Sequence, residues 1–249
     1  MPTNAFDIKE VFTSAWEGFT KNAVLLVVLS LASLVVPLVF YGFLMLFAMV
    51  IPIFIFLFPI FILIEAALTF YILFCLAKAS LAILKGETPS WEILKTDFIP
   101  LLKFFAVLLI IAIAAVIVST GVTFIFPLIL GVNAASMFIV TLLMLTITIV
   151  IMTFFFPVQF MIIDKQDISI IDVFTKSWNM TFPQAVQCAI FILICYALII
   201  IGMILLGLGL LVVIPVVYIA GAIIYKKLYD ASAIAAATAK PAETDTAMK

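Results

Sequence analysis

Three apolar stretches, residues 23–84, 100–163 and 182–225, set the limits on this chain. A membrane-crossing helix needs about 20 mostly apolar residues, because hydrocarbon offers backbone N–H and C=O groups no partners and a helix satisfies its own. Once turns are allowed for, each stretch holds two crossings and not three. The pattern predicts spans over residues 23–46, 53–76, 104–123, 137–158, 184–206 and 210–225, the second able to run on toward Leu84 by tilting. Hydrophobic residues make up 68% of the chain and charged residues 10%, with a mean hydropathy of +1.47; soluble domains are about 45–50% apolar and about 25% charged. The expected fold class is all-α, a polytopic membrane protein of six transmembrane helices.

The basic residues test that division. All twelve are lysines. Lys9, Lys21, Lys78, Lys85, Lys95, Lys103, Lys165, Lys176, Lys226, Lys227, Lys240 and Lys249 fall before the first span, in the connections after even-numbered spans, or in the tail. The opposite turns, around Val50-Ile51-Pro52, Gly131-Val132-Asn133 and Gly207-Leu208-Gly209, carry no charge. Because lysine is enriched on the cytoplasmic side of membranes, a multi-pass protein of the cell membrane with both termini cytoplasmic is expected. The first apolar stretch follows a charged segment and lacks an A-x-A-type exit, so it is expected to be a retained span and not a cleaved signal. Residues 1–230 are expected to form one membrane domain. Residues 231–249, rich in Ala and Thr with Pro241, hold too little large apolar surface to order and are expected to be a disordered cytoplasmic tail.

An internal repeat runs through the chain. Ile8, Val11, Phe12, Thr13 and Trp16 recur as Ile170, Val173, Phe174, Thr175 and Trp178 at constant offset, with Glu10 answered by Asp172. The apolar members occupy one helical face. Asn4 is the expected cap of the first helix, and Ser169, with Asp172 three residues on, of the second. Such helices suit the membrane interface, with Trp16 and Trp178 anchored among headgroups. Thr88-Pro89 opens a weaker third copy, with Trp91, Leu94, Phe98 and Leu101 at similar spacing before Pro100 cuts it short. The chain thus divides into three units, residues 5–84, 88–163 and 168–229, each an amphipathic interfacial helix and two spans. Two spans return the chain to the same side, so the units would be parallel repeats.

These residues carry a resemblance. Phe156-Pro157, Asp164, Ile170-Ile171-Asp172-Val173-Phe174, Ser177-Trp178, Gly207-Leu208-Gly209, Pro215 and Tyr225 resemble the integral membrane domain of some bacterial glycerophosphodiester phosphodiesterases and its stand-alone relatives. Gly86-Glu87-Thr88-Pro89-Ser90-Trp91 resembles the linker those proteins carry between their second and third spans. The resemblance implies a six-helix fold with amphipathic cytoplasmic helices. The phosphodiesterase chemistry of that family resides in a separate soluble domain, and no catalytic residue carries over.

Reactive chemistry is sparse. With no histidine and no arginine, imidazole bases, histidine metal sites and bidentate phosphate clamps are excluded. Cys75, Cys188 and Cys195 lie in spans at spacings typical of neither zinc nor redox motifs, so a packing role is expected. Gly207-Leu208-Gly209 lacks the strand and third glycine of a nucleotide loop and is expected to turn a helical hairpin. Pro37, Pro52, Pro59, Pro127, Pro157 and Pro215 are expected to bend or end helices, a structural use. No catalytic residue, metal, cofactor or nucleic-acid partner is expected, and the chain is expected not to be an enzyme.

Glu65 stands apart, near the middle of the second span. An ionisable group at that depth is a functional candidate by default. The nearest lysine in sequence, Lys78, lies about 20 Å further along the helix. A carboxyl without a cation there is expected to carry its proton and to donate to a carbonyl or to a hydroxyl such as Thr69, Thr146 or Thr148, as helix-to-helix glue.

Three function classes follow. The leading one is a non-catalytic membrane protein that organises lipid or scaffolds membrane or cytoplasmic partner proteins at the cytoplasmic face. The alternative is a small secondary transporter or channel using Glu65 as a proton or cation site, with Ser119, Thr120, Thr141, Thr153, Gln159 and Gln187 the polar groups available to line a path. The third is a lipid-modifying enzyme built on Asp164, Asp167 and Glu92, for which solvated loop charge is the ordinary explanation.

Overall fold

The computed structural model describes residues 6–50, 58–95, 98–131, 133–165, 167–205 and 207–238. Among them are eight α-helices and no strand: α1 (Ile8–Lys21), α2 (Ala23–Val50), α3 (Phe58–Leu84), α4 (Phe98–Leu130), α5 (Ala134–Asp164), α6 (Ile170–Thr181), α7 (Ala185–Ile204) and α8 (Leu210–Thr238). Six stretches are long and apolar enough to cross a membrane. Helices α2, α3, α4, α5 and α8 each supply one, and α6 runs through a short 3-10 turn, Phe182–Gln184, into α7 to supply the other.

The helices outrun the expected spans. α4 and α5 have 33 and 31 residues, about 50 and 46 Å against a hydrocarbon core of roughly 30 Å. An apolar run marks only the part of a helix inside hydrocarbon; the helix itself continues until a cap or a glycine stops it. Gly86, Gly131 and Gly207 do so with φ of 78°, 74° and 75°, which costs a residue without Cβ nothing. At the Gly131 turn, Asn133 and Ser136 form a reciprocal capping box that starts α5. Of the prolines expected to bend or end helices, Pro37, Pro157 and Pro215 lie inside continuous helices and do not end them; Pro52 lies outside the described residues. α8 also runs on through Ala231 to Thr238, into the segment expected to be disordered, because alanine is the strongest helix former and Lys226 pairs with Asp230 one turn on. Residues 239–249 lie outside the described residues.

Of the short helices, α6 is capped as expected: Asp172 N–H donates to Ser169 Oγ at 3.2 Å, and Ser169 Oγ donates to Asp172 Oδ2 at 2.8 Å. α1 is capped by Asp7, which accepts from Lys9 N–H at 2.8 Å; Asn4 lies outside the described residues. The repeated positions have the same burial in both helices. Val11 and Val173 are buried, Ile8 and Ile170 and Phe12 and Phe174 half-buried, and Thr13 and Thr175 and Trp16 and Trp178 exposed. The buried faces are covered by protein: α1 packs on α8, with Glu10 ion-paired to Lys227 at 3.0 Å, and α6 packs on α5. The third short helix does not form. Trp91–Leu94 is one 3-10 turn capped by Ser90, and Phe98 and Leu101 belong to α4. Pro100 sits in the first turn of α4, where an N–H has no partner to lose, so it opens a helix where a break was expected.

Helices α3, α5 and α8 pack against one another as an inner triangle. Outside it α2 packs on α3 and α8, α4 on α5 and α3, and α7 on α8 and α5. The short elements follow the same rule, α1 on α8, the 3-10 turn on α3 and α6 on α5. If the chain is divided into the three expected units, each first span lies between the second span of its own unit and that of the unit before, counted cyclically. Small residues bring the inner helices together: Ala220 and Ala222 are fully buried, and a Cβ on Gly221 would stand 3.1 Å from the Phe160 ring. The outer faces stay apolar and uncovered, as at Leu109, Ile113, Val116 and Ile117 of α4. Lipid is the solvent that suits such a face.

Candidate functional site

The charged side chains collect at one end of the bundle, where α3 and α5 finish, α4 and α7 start, and α8 emerges. Its centre is Asp164, the last residue of α5. The carboxylate is 12% exposed and lies 3.1 Å from Lys85 Nζ and 3.5 Å from Lys165 Nζ, while Tyr225 of α8 donates its O–H to Oδ2 at 3.2 Å. Three helices of the inner triangle are thereby tied at one level. Lys165 and Lys226 both lie over the Tyr229 ring, at 5.1 and 6.0 Å. Lys227, next in the chain, donates to Glu10 and so ties α8 to α1.

Beside this cluster the segment after α3 folds back as a strap. Tyr71 donates its O–H to Leu94 C=O, Lys78 Nζ donates to Lys95 C=O at 3.2 Å, and Cys75 Sγ lies 4.0 Å from Ile93 C=O. Under the strap is a cavity of about 380 Å³ whose wall includes Lys78, Lys85, Glu87, Thr88, Ser90 and Glu92, with Phe74, Pro100 and Ile163 as its apolar part. A second cavity of about 300 Å³ lies deeper, between α3, α4, α5, α7 and α8. Phe70, Leu108, Ile111, Phe155, Phe191 and Val217 are among its lining, and the polar members are Gln159, Cys195 and Tyr218. Phe74 of the upper cavity and Phe104 of the lower meet edge to face at 5.2 Å, and Ile163 and Ile162 divide between the two walls in the same way. One layer of side chains separates a polar chamber from an apolar one.

Glu65 belongs to neither cavity. It lies on α3 two turns from Phe58, the first described residue of that helix. Thr69, one turn further along the same helix, donates to Glu65 Oε1 at 2.9 Å. Thr146 and Thr148 donate instead to Leu142 and Met144 C=O of their own helix. The expected helix-to-helix hydrogen bond is thus a bond within α3. The polar groups expected to line a path are similarly spent or scattered: Ser119 and Thr141 bond carbonyls of their own helices, Thr153 Oγ1 and Gln187 Oε1 are buried without a partner, and Gln159 faces the lower cavity.

The three tryptophans are about half exposed. Trp178 stacks on Phe154 at 4.1 Å, Trp16 lies 5.6 Å from Phe19, and Trp91 sits in the strap. Asp164 is engaged by lysines and Glu92 by Lys95 at 3.9 Å. Among the described residues no group of three or more His, Cys, Asp or Glu side chains could hold a metal ion. Cys75, Cys188 and Cys195 are buried thiols.

Sequence reasoning missed both cavities and the Lys85–Asp164–Tyr225 cluster, whose members are far apart in the chain. The one signal available was that Asp164 and Tyr225 each end an apolar stretch on the lysine side. Comparison with protein-family models, with curated proteins and with solved structures returns no match.

Proposed function

We propose that this integral membrane protein is non-catalytic and holds lipid, with its lysine end toward the cytoplasm. The observation that carries the reading is the lower cavity: an apolar chamber of about 300 Å³ among five of the long apolar helices, within the size range of ligand pockets. Tyr218 and Gln159 are the polar groups that would meet a bound lipid's oxygen atoms there. The cyclic packing of the three units supports a further part of the reading, that they descend from one interfacial-helix-and-hairpin unit. The likeness of Ser177-Trp178, Asp164 and Gly86-Glu87-Thr88-Pro89 to the membrane domain that accompanies glycerophosphodiester phosphodiesterases is consistent with a lipid setting, and we include membership of that group in the proposal.

The test is native mass spectrometry of the protein released from lipid discs. Wild type is expected to retain phospholipid, and Val217→Phe, which fills the chamber from α8, to lose it; Leu108→Phe does the same from α4. Equal retention by both variants and wild type, all with unchanged melting temperature, would overturn the reading.

A further inference from the structure

The charges around the upper cavity are not all paired within the described part of the protein. Four charged side chains face it: Lys78, Lys85, Glu87 and Glu92. Lys85 is taken by Asp164, and Glu92 faces Lys95. Lys78 is half-buried and gives one hydrogen bond to a backbone carbonyl, with no carboxylate within ion-pair distance among the described residues. Glu87 likewise has no cation within that distance among them. Among the described residues, one ammonium and one carboxylate thus line the same chamber without an ion-pair partner. Thr88 and Ser90 add hydroxyls; Ser90 Oγ accepts from Glu92 N–H and keeps its own proton to donate.

A partly desolvated ammonium without a counter-charge is costly, and the ligand that relieves it should bring an anion. Glu87, exposed at the rim of the same cavity, is placed to accept from a cation in the same ligand. Directly beneath, across the single layer formed by Phe74 and Phe104, lies the apolar chamber. The ligand is therefore zwitterionic at one end and apolar at the other.

The geometry points to a single phospholipid site formed from both cavities, with a phosphoethanolamine-type headgroup between Lys78 and Glu87 and an acyl chain that enters the lower chamber when the Phe74 and Phe104 rings, which part the two, turn aside. This rests on the lipid-holding reading and adds the headgroup class. The phosphodiester oxygens accept from Lys78 Nζ and the hydroxyls of Thr88 and Ser90, and the primary ammonium donates to Glu87. A quaternary ammonium has no N–H to give and is held by aromatic faces, of which this wall has only Phe74. An uncharged glycerol headgroup would leave Glu87 facing the phosphate.

The experiment uses the full chain in discs of equal parts phosphatidylethanolamine, phosphatidylglycerol and phosphatidylcholine, with retained lipid read by native mass spectrometry. Phosphatidylethanolamine is expected to be enriched roughly threefold or more over the disc, as one partly exposed ion pair allows. Glu87→Gln is expected to abolish the enrichment without lowering total retained lipid, and Lys78→Gln to lower retention of all three. Retained lipid that mirrors the disc, or is enriched in phosphatidylglycerol, overturns the headgroup assignment and leaves the chamber reading standing. Wild type that retains no lipid overturns both. Soluble glycerophosphoethanolamine competing as well as the whole lipid would overturn the joined site, since the lower chamber would then contribute nothing.

Discussion

Glu65 illustrates how far a single residue can be read. Its isolation among apolar neighbours is visible in sequence and marks it as a functional candidate. Sequence offered Thr69, Thr146 and Thr148 as hydroxyl partners without choosing among them. The structure pairs it with Thr69 on its own helix, at a distance any helical i, i+4 pair can reach, and leaves it outside both cavities. A glutamine at this position keeps an acceptor oxygen for the Thr69 hydroxyl and nearly the same volume. Glu65→Gln should therefore change stability by less than about 0.5 kcal/mol, as changes away from a shared network usually do. Thermal unfolding in lipid discs checks this, and a loss of several degrees would return Glu65 to the list of functional groups.

At the scale of elements, the turns and caps were the most legible features. Ser169 followed by Asp172, and the Gly207-Leu208-Gly209 turn, were readable because capping and left-handed turns depend on residues close in sequence. The glycine turn goes further than sequence indicated. Gly209 approaches Gly202 of α7 so closely that a Cβ on Gly209 would stand 2.7 Å from the Gly202 Cα and 3.0 Å from its carbonyl oxygen. These are backbone atoms and cannot swing aside. Gly209→Ala should destabilise the α7–α8 hairpin by about 1–3 kcal/mol, the usual cost of overpacking. A lowered melting temperature with faster amide exchange in α7 and the start of α8 is the expected result. Trp91–Leu94 marks the opposite case. Its spacing matched the repeat, yet a four-residue 3-10 turn formed, because the strap is pinned by Tyr71 and Lys78 from α3, contacts that no local pattern encodes.

For the whole molecule, the lysine distribution makes a statement about sidedness that can be tested directly. The three native cysteines are buried, so a cysteine placed at Thr88 in the strap and another at Asn133 in the opposite turn can be labelled with a membrane-impermeant maleimide. Thr88→Cys should react only when cells are opened, and Asn133→Cys in intact cells; the reverse pattern would invert the protein and move the proposed lipid site to the other leaflet.

Six crossings, the end at which charge collects, the hairpin glycines and the cap of α6 were determined by the sequence alone, since apolar length, charge and capping are properties of neighbouring residues. The inner triangle of α3, α5 and α8, the two cavities and the grip of Lys85, Lys165 and Tyr225 on Asp164 were decided only by the tertiary structure. The physical reason is the solvent. A helix in water reveals its inward face by an apolar stripe, but a membrane helix is apolar all round, and lipid is as good a neighbour to leucine as another helix is. Which faces meet then rests on close fit, as at Gly221 against Phe160, and on the few polar contacts at the lysine end.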